Sequence, residues 1–161
     1  MLRLLIRGYE SLIVAYSGGV DSTFLASVAY EVLGARSLAV TSRSPSVAPE
    51  ELAAAVELAA ARGWRHMVVD TDEMSDPRYV VNDGRRCFFC KTELYSHLDR
   101  VAVAEGITKV ANGANMDDLG DYRPGMEAAL NFEVVSPLVE AGMAKQDIRD
   151  LSKEMGLPTW D

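Results

Sequence analysis

The run Tyr16-Ser17-Gly18-Gly19-Val20-Asp21-Ser22 lies between an apolar segment, Leu12-Ile13-Val14-Ala15, and a stretch of helical character that begins Thr23-Phe24-Leu25-Ala26. A glycine pair in that setting fixes the local topology: a buried strand ends, the chain turns sharply, and a helix starts with its N-terminus facing the turn. Consecutive glycines let backbone N–H groups converge, and the helix start adds partial positive charge at the same point. Ser17, Ser22 and Thr23 add hydroxyl donors. The segment reads as a cradle for phosphate. Asp21 is the unusual member, because a carboxylate beside a bound phosphate is repelled unless a cation lies between them, and Mg²⁺ suits that geometry. Asp21 is therefore the metal candidate. A serine-capped helix would need only one of these residues. The run is neither G-x-x-x-x-G-K-[ST] nor G-x-G-x-x-G.

Strand-like runs alternate with helical ones along the rest of the chain. Leu12 to Ala15, Ser37 to Thr41, His66 to Asp70, Lys109 to Asn112 and Glu133 to Val135 read as strands. Ser22 to Leu33, Pro49 to Arg62, Cys90 to Glu105, Tyr122 to Leu130 and Lys145 to Met155 read as helices. Pro49 suits a first helical position and Gly63 a helix stop, with Leu52, Val56, Ala59 and Ala60 on one face. Alternation of this kind predicts an α/β fold, a doubly wound, five-stranded parallel sheet with helices on both faces. Ligands of such a sheet gather at the carboxyl ends of the strands, near the point where strand order reverses.

With 161 residues the chain is expected to form one domain, 1–161. Its 24 acidic and 16 basic side chains give a net charge of −8, which attracts no polyanion over long range and predicts no nucleic-acid partner. Apolar runs fall well short of the roughly 18 residues a membrane span needs, and the N-terminal Met1-Leu2-Arg3-Leu4-Leu5-Ile6-Arg7 is too short for a signal peptide. A cytoplasmic protein with no membrane partner is expected. The two cysteines, Cys87 and Cys90, are too close in sequence to staple the fold. They read as reduced thiols, ligands or a redox pair.

Three further segments carry chemistry. Asn112-Gly113-Ala114-Asn115-Met116-Asp117-Asp118 follows the fourth strand, and a glycine at a strand exit lets another backbone approach a nucleotide. Asp117, Asp118 and Asp121 would repel one another without a cation, a guanidinium or solvent nearby, and Arg123 is the fixed cation of that segment, suited to phosphate or carboxylate. Lys145 falls in the first turn of a helix, where it opposes the helix dipole and is more easily explained by an anion. Cys87 and Cys90 share one face of one turn, flanked by Arg85, Arg86 and Lys91. Two sulfurs do not complete a zinc or iron–sulfur site.

The Ser-Gly-Gly-x-Asp-Ser run resembles the PP-loop of the ATP pyrophosphatases. That resemblance implies cleavage of ATP between its α and β phosphates and transfer of AMP to an acceptor oxygen. With Arg86-Cys87-Phe88-Phe89-Cys90-Lys91, Asp121-Tyr122-Arg123-Pro124-Gly125, Ser136-Pro137-Leu138 through Lys145, and Gly156-Leu157-Pro158, the chain is similar to the LarE family of ATP-dependent sacrificial sulfur transferases. The likeness implies ATP and Mg²⁺ as cofactors and adenylation of the carboxylates of a pyridinium mononucleotide, a small-molecule partner, followed by sulfur insertion in nickel-pincer cofactor synthesis. Ser17, Gly18, Gly19, Val20, Asp21, Ser22 and Lys145 would then serve the phosphates and Mg²⁺. Thr41 and Gly113 would lie near the nucleoside, Arg123 near an anion, and Cys87 and Cys90 on the sulfur side. In some family members the sulfur comes from a protein cysteine; in others three cysteines hold a [4Fe-4S] cluster, of which Cys87 and Cys90 would supply two. A homo-oligomer is also expected. Family members run on past the Gly-Leu-Pro-Thr-Trp-Asp segment into a substrate-handling part with a further cysteine, so the chain ending at Asp161 reads as a fragment or as one partner of two. The competing readings are a tRNA-thiolating or amide-forming PP-loop enzyme, disfavoured for tRNA by the acidic charge, and a nucleotide-binding subunit without catalysis.

Overall fold

Strands β1 (Leu12–Ala15), β2 (Ser37–Arg43), β3 (His66–Asp70) and β4 (Lys109–Ala111) are all parallel and lie in the order β3-β2-β1-β4. The computed structural model describes residues 1–45, 47–71, 86–120, 128–130 and 132–161, with the backbone alone at 86–90 and 120. In register, Val14 lies beside Ala39 on one side and Ala111 on the other. The chain steps outward from β1 to β2 and β3, then returns past β1 to lay down β4. Strand order thus reverses between β1 and β4, and the loops leaving these two strands face each other across the crevice that such a reversal opens.

Helices cover both faces, as the alternation predicts. One face carries α1 (Leu2–Gly8), α2 (Val20–Leu33), α3 (Pro49–Arg62), the short α5 (Pro137–Glu140) and α6 (Lys145–Glu154), whose Ile6, Phe24, Leu25, Ala55, Ala59, Leu138 and Ile148 pack with Leu12 and Val14. The other face carries α4 (Arg86–Glu105) and residues 128–130, where Leu94, Tyr95, Leu98, Ala128 and Ala129 pack with Ile13, Leu38 and Val40. Adjacent residues of β1 and β2 thus point to opposite cores, the expected consequence of a period-two strand buried on both sides. Helix α3 begins on Pro49 and ends at Gly63 with φ +71°, whose N–H returns to Ala60 O at 3.1 Å while Trp64 N–H reaches Ala59 O at 3.0 Å. Both boundaries fall where the sequence puts them.

The expected fifth strand is not formed. Val135 makes a single parallel bridge to Ala111, with Asn112 N–H to Val135 O at 3.0 Å and Val135 N–H to Val110 O at 2.9 Å. Glu133 sits at φ +56°, outside extended space, and Pro137 already opens α5, so too few residues remain for a ladder. Among the described residues the sheet therefore has four strands. Helix α4 begins at Arg86, four residues before the expected Cys90, and α2 begins at Val20 in place of Ser22. Of the expected helix Tyr122 to Leu130, residues 121–127 lie outside the described residues. No helix among the described residues is long and apolar enough to cross a membrane.

Candidate active site

Tyr16, the first residue beyond β1, anchors the turn that follows. Its N–H continues the ladder to Val40 O at 2.9 Å, and its buried hydroxyl donates to Ala55 O at 2.9 Å. Burial pushes the phenol up to about 12, so it remains a neutral donor. Trp64 and His66 meet its ring edge-on at 5.5 and 5.6 Å between centroids. From this fixed point Gly18 turns with φ +92°, a conformation that favours glycine, and a Cβ there would lie 3.1 Å from Ala55 Cβ. Ser17 and Ser22 close the turn: Ser17 N–H donates to Ser22 Oγ at 3.1 Å, the two hydroxyls are 3.1 Å apart, and Gly19 N–H reaches Ser17 Oγ at 3.3 Å.

Helix α2 starts at Val20 with Gly19 as its N-cap, and no side chain caps it. Its first intrahelical bond is Thr23 N–H to Gly19 O at 3.0 Å, so the amides before Thr23 have no acceptor within the helix. Directly against that turn lies Gly113, at the exit of β4. A Cβ on Gly113 would stand 3.0 Å from Ser22 N and 3.3 Å from both Asp21 C and Asp21 Cβ. Only a glycine lets the two loops meet this closely without displacing one of them.

Asp21 and Lys145, 124 residues apart in sequence, form an ion pair with Lys145 Nζ 2.6 Å from Asp21 Oδ2. The other carboxylate oxygen, Asp21 Oδ1, is buried and has no hydrogen-bond partner among the described residues. Lys145 is held at its backbone too, since its N–H donates to Asp117 Oδ2 at 3.1 Å. Two carboxylates thus offset a lysine at the start of α6, a position unfavourable by the helix dipole alone. The expectation that the aspartates of this segment require a nearby cation, guanidinium or solvent is modified: Asp117 and Asp118 accept from backbone amides, Asp118 Oδ2 from Asn115 N–H at 2.9 Å, and Asp117 N–H donates to buried Asn115 Oδ1 at 2.8 Å.

These loops border a cleft of about 420 Å³ at the carboxyl ends of β1, β2 and β4, lined in part by Ser17, Asp21, Ser22, Thr41, Gly113 and Asp118. Val40, Val47 and Leu52 add apolar groups to its lining, and Lys91, Leu94 and Tyr95 of α4 border it as well. Gly18, Gly19, Val20 and Lys145 are not on its lining; Lys145 meets it through Asp21. Thr41 is buried, with its hydroxyl donating to Tyr16 O at 2.8 Å and lying 2.8 Å from His66 Nε2. The hydroxyl has one proton, so Nε2 carries the hydrogen that closes the second bond. Burial lowers the His66 pKa, which keeps the ring neutral.

The sequence reading did not single out Tyr95 or His66, and it included Asn112 only as part of a run. Tyr95 stands four residues after Lys91, one helical turn along the same face, which is the signal that could have found it. His66 leaves no comparable trace, since its contact depends on the β2–β3 register, Ala39 beside His66. Cys87 and Cys90 lie in the first turns of α4, where the backbone alone is described, and Arg123 lies outside the described residues.

No family model matches the chain. An uncharacterised protein of Synechocystis sp. is 46% identical over 99% of this chain and 60% of its own length. The pyridinium-3,5-bisthiocarboxylic acid mononucleotide synthase of Lactiplantibacillus plantarum is 33% identical over 97% of this chain and 57% of its own length. The chain is homologous to this synthase. It spans 57 to 60% of the length of these two relatives. Among solved structures, the NH₃-dependent NAD synthetase of Campylobacter jejuni superposes with a TM-score of 0.73 at 16% identity, covering 98% of this chain and 71% of that one. The resemblance read from the motifs is thereby borne out, and so is the α/β fold class with its parallel sheet, which has four strands among the described residues in place of the expected five.

Proposed function

We propose that the chain binds ATP with Mg²⁺ in the cleft at the carboxyl edge and transfers AMP to a carboxylate, as the adenylating part of a LarE-type sulfur transferase. The observation that carries this reading is the uncapped first turn of α2, pressed against Gly113 and bordered by an ion pair in which one carboxylate oxygen has no hydrogen-bond partner among the described residues. A polyanion matches the amide donors and a cation matches Asp21 Oδ1. Mg²⁺ commonly uses one or two protein carboxylates and takes its other ligands from phosphates and water, so a single aspartate fits it. When bound, the ion would neutralise phosphate charge and polarise phosphoryl oxygens.

In this reading Ser17, Gly18, Gly19, Val20 and Ser22 hold the β and γ phosphates through amides and hydroxyls, and Lys145 adds a cation. The nucleoside occupies the part of the cleft walled by Val40, Val47 and Leu52, with Thr41 behind it and Gly113 allowing close approach. An oxygen of the acceptor carboxylate attacks the α phosphorus, the bond from that phosphorus to the bridging oxygen breaks, and pyrophosphate leaves with the electron pair. Preorganised donors at the charge that develops contribute about 3 kcal/mol each. Arg123 is assigned to an anionic group of the nucleotide or acceptor. Cys87 and Cys90 are assigned to the sulfur side, because α4 brings Lys91 and Tyr95 to the same cleft. A [4Fe-4S] cluster would need a further ligand beyond these two thiols, and no step is assigned to one. The acceptor is proposed to be a pyridinium carboxylate mononucleotide, the chemistry that the name of the L. plantarum relative describes.

Incubation of the chain with ATP, Mg²⁺ and a pyridine-3,5-dicarboxylic acid mononucleotide, followed by pyrophosphate detection, tests the proposal. Stoichiometric or catalytic pyrophosphate that depends on the acceptor supports it. A nucleotide-induced thermal shift with no pyrophosphate would leave a binding module without catalysis.

A further inference from the structure

Tyr95 is buried, 3% exposed, yet it borders the cleft from α4. Its hydroxyl lies 3.3 Å from Asn112 Nδ2, on the first residue after β4. The orientation of that amide is determined by its other end: Asn112 Oδ1 accepts from Ala114 N–H at 3.2 Å and from Ser136 Oγ at 2.9 Å. A backbone N–H can only donate, so the oxygen must face Ala114 and the NH₂ must face Tyr95. The Tyr95 oxygen is therefore an acceptor in this contact. Its own proton has no acceptor among the described residues, and a buried hydroxyl without one is costly.

The position of the pair narrows what would accept that proton. Asn112 immediately precedes Gly113, which touches Asp21 and Ser22 at the start of α2. Through Asn112, Tyr95 therefore lies beside the loop that meets the start of α2, on the lining that also holds Asp21 and Ser22. An anionic oxygen matches a neutral donor held in place by its neighbours.

We propose that Tyr95 O–H donates to an oxygen of the α phosphate of the bound nucleotide, making Tyr95 a substrate-contacting residue that distinguishes a nucleotide from a nucleoside. The inference rests on the nucleotide reading of the cleft. The two are separated by titrating ATP, AMP and adenosine into the wild-type chain and into Tyr95→Phe, which keeps the ring that packs at 6.3 Å from Phe132. Tyr95→Phe should weaken AMP and ATP by at least about tenfold, the ordinary effect of losing a hydrogen bond to a charged group, and should leave adenosine within about twofold. Equal AMP affinity in both forms overturns the inference and leaves the nucleotide reading standing. Equal losses for AMP and adenosine also overturn it, because the hydroxyl would then serve the nucleoside or the shape of the cleft. A wild-type chain that binds none of the three overturns the nucleotide reading and this inference with it. Should Tyr95→Phe fail to fold, the wild-type chain labelled with 3-fluorotyrosine keeps the test: the Tyr95 ¹⁹F resonance must move with AMP and stay in place with adenosine, and any other pattern overturns the assignment.

Discussion

Two cavities among the described residues are similar in size and different in character, and helix α2 borders both. The cleft at the carboxyl edge, about 420 Å³, meets the end of α2 at Asp21 and Ser22; a groove of about 470 Å³ meets its side at Phe24 and Val28. The groove is otherwise lined mainly by Met1, Leu2, Ala141, Met143, Leu151 and Met155, with Arg3 and Glu154 as its charged members. A helix offers amide donors only at its N-terminal end, because along its side every N–H is already bonded. Volume therefore does not distinguish a binding site here. What does is the combination of orphan amides, an approach that only glycine permits and a partly satisfied carboxylate. Each prediction below either breaks that contrast or narrows it to particular atoms.

The largest effect is expected from Asp21→Asn. If the carboxylate holds Mg²⁺, the variant should lose about a thousandfold in Mg²⁺-dependent pyrophosphate formation, since the cation contributes several kcal/mol at the transition state. Nucleotide affinity, measured by titration, should fall only a few-fold. Equal losses in both would mean that Asp21 merely shapes the loop.

Gly113→Val comes next. Its Cβ would press on Ser22 N and on Asp21, which are backbone or close to it, so the start of α2 must shift. A displacement of about 1 Å at such a site costs on the order of a hundredfold in turnover, and overpacking costs about 1–3 kcal/mol of stability. Unlike Asp21→Asn, this variant should lose nucleotide affinity and turnover together. Retained affinity would show that the cradle tolerates separation from β4 and that the contrast between the cavities rests on charge alone.

Lys145→Met should have a smaller effect, about tenfold in ATP affinity, by removing a cation from the phosphates. Its effect on stability should be within about 1 kcal/mol, because the Asp21–Lys145 pair is partly exposed, at 20% and 33% of the two side chains. An unchanged ATP affinity would assign Lys145 to Asp21 and not to the ligand.

The end of α2 was legible in the sequence and its side was not, for physical reasons. A glycine pair, a strand before it and a helix after it are local, and Pro49 and Gly63 mark α3 equally well. By contrast, α1 is a seven-residue helix buried through Leu2 and Ile6 with no side-chain cap, too short for its periodicity to stand out. The fifth strand was misjudged because the left-handed Glu133 is not a glycine and gives no warning. Gly113 was placed near a ligand for its freedom at a strand exit, whereas its contact with Ser22 arises only once β4 returns beside β1. Thr41 with His66 and Tyr95 with Asn112 likewise meet through sheet register and helix docking. Such contacts are fixed by tertiary structure.

His66 provides a pH test of the wall behind the cleft. Burial lowers its pKa below the ordinary 6.5, so as pH falls through that value the unfolded chain takes up the proton first. The stability this group contributes is therefore complete above about pH 6.5 and diminishes as pH falls toward the folded-state pKa. The thermal midpoint should drop between pH 7.5 and 5.5, and by less in His66→Gln. Identical drops would place the titration elsewhere.

The smallest effect is expected on the apolar side. Leu151, 39% exposed, lines the groove next to Met155, and Leu151→Ala removes part of that lining without touching the first turn of α2. Because the side chain is only partly buried, the loss in stability should be about 1 kcal/mol or less, below the range for core leucines. ATP and AMP affinities should stay within about twofold of the wild type, measured in the same titrations that read Gly113→Val. The comparison is demanding because the groove and the cleft share α2: a shift transmitted along the helix from Val28 to Asp21 would appear as weakened nucleotide binding. A loss of tenfold or more would show that the groove sets the position of the cradle, and the two cavities would then have to be treated as one mechanical unit.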